Sequence, residues 1–197
     1  GDPLTLWEDT AAKSPGKARP HYNLGYYYKA TLQIDKAVTE FTRTIELKAD
    51  YTNAHLYLGI IYQEKGQPDK AEAEYKLAVG IMPDHAEAHY QLGTLYTEGG
   101  RPLEAEAELK RAIELKPDFS DAYYKLGIHY VHENRHADAI DHLIKAKELN
   151  PKNYLVYNTL GNIYSMQGRY DQALAEYKFA LTINPDDQEA KDYIKLI

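Results

Sequence analysis

The dipeptide Leu-Gly recurs at Leu24-Gly25, Leu58-Gly59, Leu92-Gly93, Leu126-Gly127 and Leu160-Gly161, each copy 34 residues after the last. A fixed period constrains a chain more than any composition does. Each copy must be one supersecondary unit that buries its apolar face only against its neighbours. Other positions keep the same step. A tyrosine follows each glycine by three residues (Tyr28, Tyr62, Tyr96, Tyr130, Tyr164) and an alanine by twelve (Ala37, Ala71, Ala105, Ala139, Ala173). An aromatic residue or leucine comes four later (Phe41, Tyr75, Leu109, Leu143, Tyr177), then a small residue (Thr44, Ala78, Ala112, Ala146, Ala180). Pro83, Pro117, Pro151 and Pro185 close four of the periods, and Ala49 stands at that place in the first.

Within a period the apolar spacing is helical. His55, Leu58, Gly59 and Tyr62 fall at i, i+3, i+4 and i+7, and Ala71, Tyr75, Ala78 and Ile81 make a similar face further on; such spacing marks one side of a helix. Each period therefore predicts two helices. Glycine inside a helix costs about 1 kcal/mol relative to alanine. Its recurrence at one register implies that two backbones approach where no side chain fits. Gly66-Gln67-Pro68 and Gly99-Gly100-Arg101-Pro102 interrupt the pattern, with Pro68 and Pro102 where a first-turn proline is tolerated. The later prolines end each second helix, because the residue before a proline is pushed out of the helical region.

These positions give the chain a resemblance to the tetratricopeptide repeat family, whose signature has this period, the Leu-Gly pair, the tyrosine, the alanine, the aromatic and the proline. The resemblance covers residues 18–187. It implies an all-α, right-handed superhelical solenoid of helix–turn–helix repeats at 18–51, 52–85, 86–119, 120–153 and 154–187. Trp7, Thr10 and Pro15 lie 34 residues before Phe41, Thr44 and Ala49. Residues 1–17 therefore read as the second helix of an incomplete repeat, and the sequence is expected to be a piece of a longer chain. Residues 188–197 read as a capping helix with Ala190, Tyr193, Ile194 and Ile197 on one side, since a terminal repeat must cover its apolar face. The stretch from Leu6-Trp7-Glu8-Asp9-Thr10 to Asn23-Leu24-Gly25 is also similar to the entry into the repeat region of bacterial membrane proteins related to protein mannosyltransferases. That likeness implies a multi-span membrane half before the repeats, which would then face the extracytoplasmic side.

The sequence has no cysteine, which excludes disulfides and thiolate metal sites. A net charge of −7 argues against a nucleic-acid partner and against docking on anionic lipid. No apolar run approaches the roughly 20 residues of a membrane span, and residues 1–17 do not read as a signal peptide. The compartment stays open between cytoplasm and extracytoplasmic space. No Ser–His–Asp order, phosphate-cradling glycine loop or HExxH motif appears, so neither enzyme activity nor a cofactor is expected. His129, His132 and Glu133 could hold a borderline metal ion. His129, however, shares a column with Tyr27, Ile61, Leu95 and Ile163, which marks it as a packing residue. His21, His55 and His89 stand where Tyr123 and Tyr157 stand in later periods, and read as core imidazoles.

The family resemblance implies a concave surface lined by the first helix of each pair, three and two residues before the glycine and one and four after it. On that surface the candidate peptide-binding residues are Tyr22, Tyr26, Tyr57, Tyr90, Gln91, Tyr124, Lys125, Asn158 and Asn162. Tyrosine offers a large apolar area with a polar tip, which suits recognition. A carboxylate clamp of the family's kind would need paired cations, where repeats one to three hold Tyr22, Tyr26, Tyr57, Glu87 and Gln91. An asparagine ladder would need Asn in a column that reads Asn23, Tyr57, Gln91, Lys125 and Thr159. Glu104, Glu106 and Glu108 read as a solvated convex face. The functional expectation is a scaffold for a protein or peptide partner. The alternatives are the non-catalytic arm of a membrane glycosyltransferase-like protein, and a homo-oligomer assembled through end faces.

Overall fold

The computed structural model describes residues 3–196, all of whose regular elements are α-helices. They are α1 (Pro3–Lys13), α2 (Ala18–Ala30), α3 (Ile34–Leu47), α4 (Thr52–Glu64), α5 (Pro68–Ile81), α6 (Ala86–Glu98), α7 (Pro102–Leu115), α8 (Ser120–His132), α9 (His136–Leu149), α10 (Tyr154–Met166), α11 (Tyr170–Ile183) and α12 (Gln188–Leu196). Gly1, Asp2 and Ile197, the last expected on the capping face, lie outside the described residues. The chain divides into two compact units, Gly1–Leu95 and Tyr96–Ile197. In the first, α2 packs on α3 and α4 on α5, with α1 against α2 and α3 against α4. In the second, α8 packs on α9 and α10 on α11, joined by α7–α8, α9–α10 and α11–α12 contacts.

The helix boundaries follow from local chemistry. Pro68 and Pro102 begin α5 and α7, where the missing N–H leaves no bond unmade. Each first helix with a described cap closes through one residue in the left-handed region, at Leu32, Gly66, Asn134 and Gly168; Gly100 takes the same conformation after α6. In the α4 closure the Gly66 N–H donates to Gln63 O at 2.9 Å and the Gln67 N–H to Tyr62 O at 2.8 Å. These bonds satisfy carbonyls that the helix leaves open at its C-terminus. Each second helix from α3 to α11 closes with a bond such as Met82 N–H to Ala78 O (3.0 Å), and after α5, α7, α9 and α11 a proline prevents continuation.

The glycine register reports close packing. A Cβ added to Gly59 would lie 2.5 Å from the Tyr75 ring, one added to Gly161 2.5 Å from the Tyr177 ring, and one added to Gly127 2.7 Å from Leu143 Cγ. The alanines at Ala37, Ala71, Ala105, Ala139 and Ala173 are fully buried opposite them. Of the histidines read as core imidazoles, His55 and His89 are buried and His21 is half-buried, and His129, read as a packing residue, is buried as well. The face assigned to Glu104, Glu106 and Glu108 needs a correction. The Glu106 side chain is only 20% exposed, because Lys110, Tyr130 and Arg135 all close upon its carboxylate.

Candidate functional site

In the first unit three of the expected groove residues come together. Tyr22 of α2 and Tyr57 of α4 sit 6.2 Å apart by ring centroid, and Tyr26, 51% exposed, meets Tyr57 edge-on at 5.4 Å. Tyr57 in turn stacks on the buried Phe41 ring at 5.5 Å. Each such pair adds about 0.5–1.5 kcal/mol beyond the area it buries. Tyr51 completes the cluster, 4.9 Å from Tyr22. It stands at the N-cap of α4, outside the four columns expected to line a groove; its signal was an aromatic two turns before the Leu-Gly pair. Beside the cluster is a cavity of about 420 Å³ lined by Trp7, Tyr22, Asn23, Tyr26, Tyr27 and Ala30.

Burial pushes the Tyr22 phenol up to about 12, helped by the neighbouring Tyr57 and Tyr51 oxygens. Burial raises Tyr57 as well, with Tyr26 and Glu87 adding to it. Both therefore remain neutral at physiological pH and can donate a hydrogen bond. Tyr90 is half-buried on α6, and the Gln91 amide donates to Glu87 at 2.9 Å.

The expected residues of the second unit are placed differently. Tyr124 is half-buried and bonds to Thr159 of α10, while burial raises its phenol. Lys125, one residue on, is half-buried. Asn158 is only 3% exposed, and its Nδ2 donates to Asp187 Oδ2 at 2.5 Å. The same aspartate accepts the Glu189 N–H at 3.1 Å through Oδ1, fixing the start of α12. Asn162 accepts the Tyr177 hydroxyl at 2.6 Å. Both amides are thus engaged by partners within the fold; Asn158 is buried, while Tyr124, Lys125 and Asn162 are half-buried.

The core histidines have carboxylate partners that were not read from the sequence. His21 Nδ1 lies 2.7 Å from Glu40 Oε2, and His55 Nδ1 2.7 Å from Glu74 Oε2, with His55 Nε2 at 2.9 Å from Ala49 O. The Glu74 hydrogen bond, set against desolvation, raises the His55 pKa. The signal was present, since Glu40, Glu74, Glu108 and Glu176 recur at the 34-residue step. Among the described residues no group of three or more His, Asp or Glu is arranged to hold a metal ion, and no helix is long and apolar enough to cross a membrane.

Comparison with known proteins places this geometry. Models of the tetratricopeptide repeat match residues 22–86, 62–128, 120–153 and 154–187. No curated protein matches. Among solved structures, YrrB, described as a TPR protein with an unusual peptide-binding site, is 21% identical, with a TM-score of 0.74 over 96% of this chain and 97% of its own. MamA is 27% identical, with a TM-score of 0.72 over 87% of this chain and 97% of its own. The Pseudomonas aeruginosa pilF protein is 12% identical, with a TM-score of 0.85 over 97% of this chain and 87% of its own. The four models together span residues 22–187, and the helix pairs fall where that signature puts them, so the chain belongs to the tetratricopeptide repeat family.

Proposed function

We propose that this chain is a non-catalytic interaction scaffold that captures a peptide or protein segment on its first helices. The supporting observation is the polar-tipped aromatic cluster of exposed Tyr26 with half-buried Tyr22 and Tyr57, beside the cavity lined by Trp7 and Asn23. Rigid aromatics that offer area and a hydroxyl are the side chains that dominate protein recognition sites. The cavity also falls within the roughly 300–1,000 Å³ range of ligand pockets. Tyr90 and Gln91 add to the first unit's contact set, and Tyr124 and Lys125 supply the second unit's. Buried Asn158 supports the surface from within, and half-buried Asn162 adds to it. The five repeats at 18–51, 52–85, 86–119, 120–153 and 154–187 are the units of this scaffold. A peptide-binding site described for YrrB, a protein of the same fold, is consistent with this use.

The test is selection from a random peptide library against the intact chain, followed by affinity measurement on Tyr26→Ala. Tyr26 is half-exposed, so its truncation spares the core. Selected peptides should bind the variant about tenfold or more weakly, as loss of an aromatic anchor predicts. Peptides that bind parent and variant alike would move the site elsewhere.

A further inference from the structure

One core position breaks its column. The residue two after the Leu-Gly glycine is Ile61 in α4 and Ile163 in α10, both essentially fully buried. In α8 it is His129, only 3% exposed. Its Nε2 is enclosed with no hydrogen-bond partner, and its ring lies 5.6 Å from that of Tyr130. A buried polar atom without a partner carries an uncompensated desolvation cost, which an isoleucine would avoid. Next to the ring lies a cavity of about 340 Å³, lined by Thr97, Gly100, Arg101, Pro102, His129, His132 and Glu133.

We infer that His129 is an acid sensor built into the second unit: proton uptake drives its ring from the core toward the adjoining cavity and loosens α8. Only a proton is taken up. The imidazolium carries two N–H donors where one ring nitrogen already lacks a partner, so the core cannot hold it.

The charged groups around the ring do not rescue the cation. Along α8 and the turn after it stand His132, Glu133 and Arg135. From α7 comes Glu106, whose oxygens are taken by Lys110, Tyr130 and Arg135. From α9, His142 packs edge-on against the Tyr130 ring at 5.2 Å, and Asp138 is bound to Arg135. Arg101, at the cavity wall, is bonded to Glu104. Burial holds the His129 pKa below the ordinary histidine value, against the pull of Glu106 and Glu133. The sign follows from linkage. Between the ordinary value of about 6.5 and the lower folded value, the unfolded chain binds more protons than the native one. Stability contributed by the neutral ring is present above that window and is lost as pH falls through it.

Native-state hydrogen exchange of the intact chain tests this, corrected for intrinsic rates and read at about pH 7.5 and about pH 5.5, on either side of the ordinary histidine pKa. Protection of α8 should fall relative to α10, which has Ile163 and no histidine, by up to about tenfold, the most that linkage allows about one pH unit below the ordinary histidine pKa. His129→Ile, which copies α4 and α10, should abolish the difference, and His129→Gln should do the same if the isoleucine overpacks. Equal acid loss in parent and variants would overturn the inference, and so would parent α8 tracking α10 at both pH values. If neither variant folds, the proton-NMR titration of the parent ring decides: a midpoint at or above the ordinary histidine value overturns it, and a lower one supports it.

Discussion

Between α2 and α4 of the first unit, rings join the helices: Tyr22, Phe41, Tyr51 and Tyr57 all lie within about 6 Å of a neighbouring ring. Around α7, α8 and α9 of the second unit, charge does that work. There Glu106 accepts from Lys110 (2.7 Å), Tyr130 (2.9 Å) and Arg135 (2.9 Å), and Arg135 also bonds Asp138 at 2.8 Å. The tyrosine three after the glycine repeats the contrast. In the first unit Lys36 and Lys70 stand 5.1 and 5.4 Å over Tyr28 and Tyr62. In the second, Arg101, Arg135 and Arg169 lie 4.0–4.3 Å over Tyr96, Tyr130 and Tyr164; a planar guanidinium can stack on a ring where an ammonium cannot. One 34-residue skeleton therefore accepts two kinds of join. Ring packing is indifferent to salt and acid, whereas a half-buried ionic network depends on every partner keeping its charge.

The comparison is tested hardest by Phe41→Ala. The ring stacks on Tyr57 and lies 2.9 Å from where a Gly25 Cβ would be, so its loss leaves a hole that the backbone cannot close. We expect a cost of about 3–5 kcal/mol, read by helix-resolved hydrogen exchange as lost protection in α2, α3 and α4. If those helices keep their protection, the aromatic cluster is not what holds the first unit.

Gly127→Leu probes the skeleton in the second unit. A Cβ there already meets Leu143 Cγ at 2.7 Å and Ala139 O at 3.4 Å. A leucine must force α8 and α9 apart, at about 2–3 kcal/mol. A variant whose thermal melt matches the parent's would contradict the close-approach role of the glycine.

Glu106→Gln sharpens the contrast in charge. Burial alone would raise this carboxyl, but the Lys110 and Tyr130 hydrogen bonds and the Arg135 charge bring it down to about 2. A depressed carboxylate contributes stability that is full above its unfolded pKa of about 4.3 and is lost as pH falls toward the folded value. The variant should lose about 1–2 kcal/mol at neutral pH and show a flatter acid limb between about pH 4.3 and about pH 2 in the second unit. An acid limb identical to the parent's would remove Glu106 from the account. His55 runs the other way. With its folded pKa raised by Glu74, its contribution is present below about pH 6.5 and lost as pH rises through the folded value.

The repeat skeleton was legible because it depends on single columns: a glycine facing a ring, an alanine facing a backbone. The expected surface was legible in part. Tyr22, Tyr26 and Tyr57 come together, Asn158 is buried on Asp187, and half-buried Asn162 accepts the Tyr177 hydroxyl. Pairings between columns, such as His55 with Glu74 or Tyr130 with Glu106, were missed for the same reason. A period shows which positions recur and not which of them touch.

The left-handed column gives the smallest and most local test. Gly66, Gly100 and Gly168 adopt positive φ at no steric cost, and Asn134 is the next most tolerant residue. Leu32 adopts φ 59° in the first unit with its side chain 83% exposed. A Cβ in that conformation costs about 1–2 kcal/mol, and so exposed a side chain has almost no packing to lose. Leu32→Gly removes the strain but also frees the unfolded chain, which offsets about 0.5–1 kcal/mol. The variant should be more stable by about 0.5–1 kcal/mol in denaturant unfolding, with slower exchange at the end of α2 and no change in the second unit. Leu32→Asn should gain a similar amount by relieving part of the strain without the entropy of glycine. A destabilised glycine variant would mean that the bonds from Leu32 N–H to Lys29 O and Gln33 N–H to Tyr28 O rely on the side chain and not on the backbone conformation.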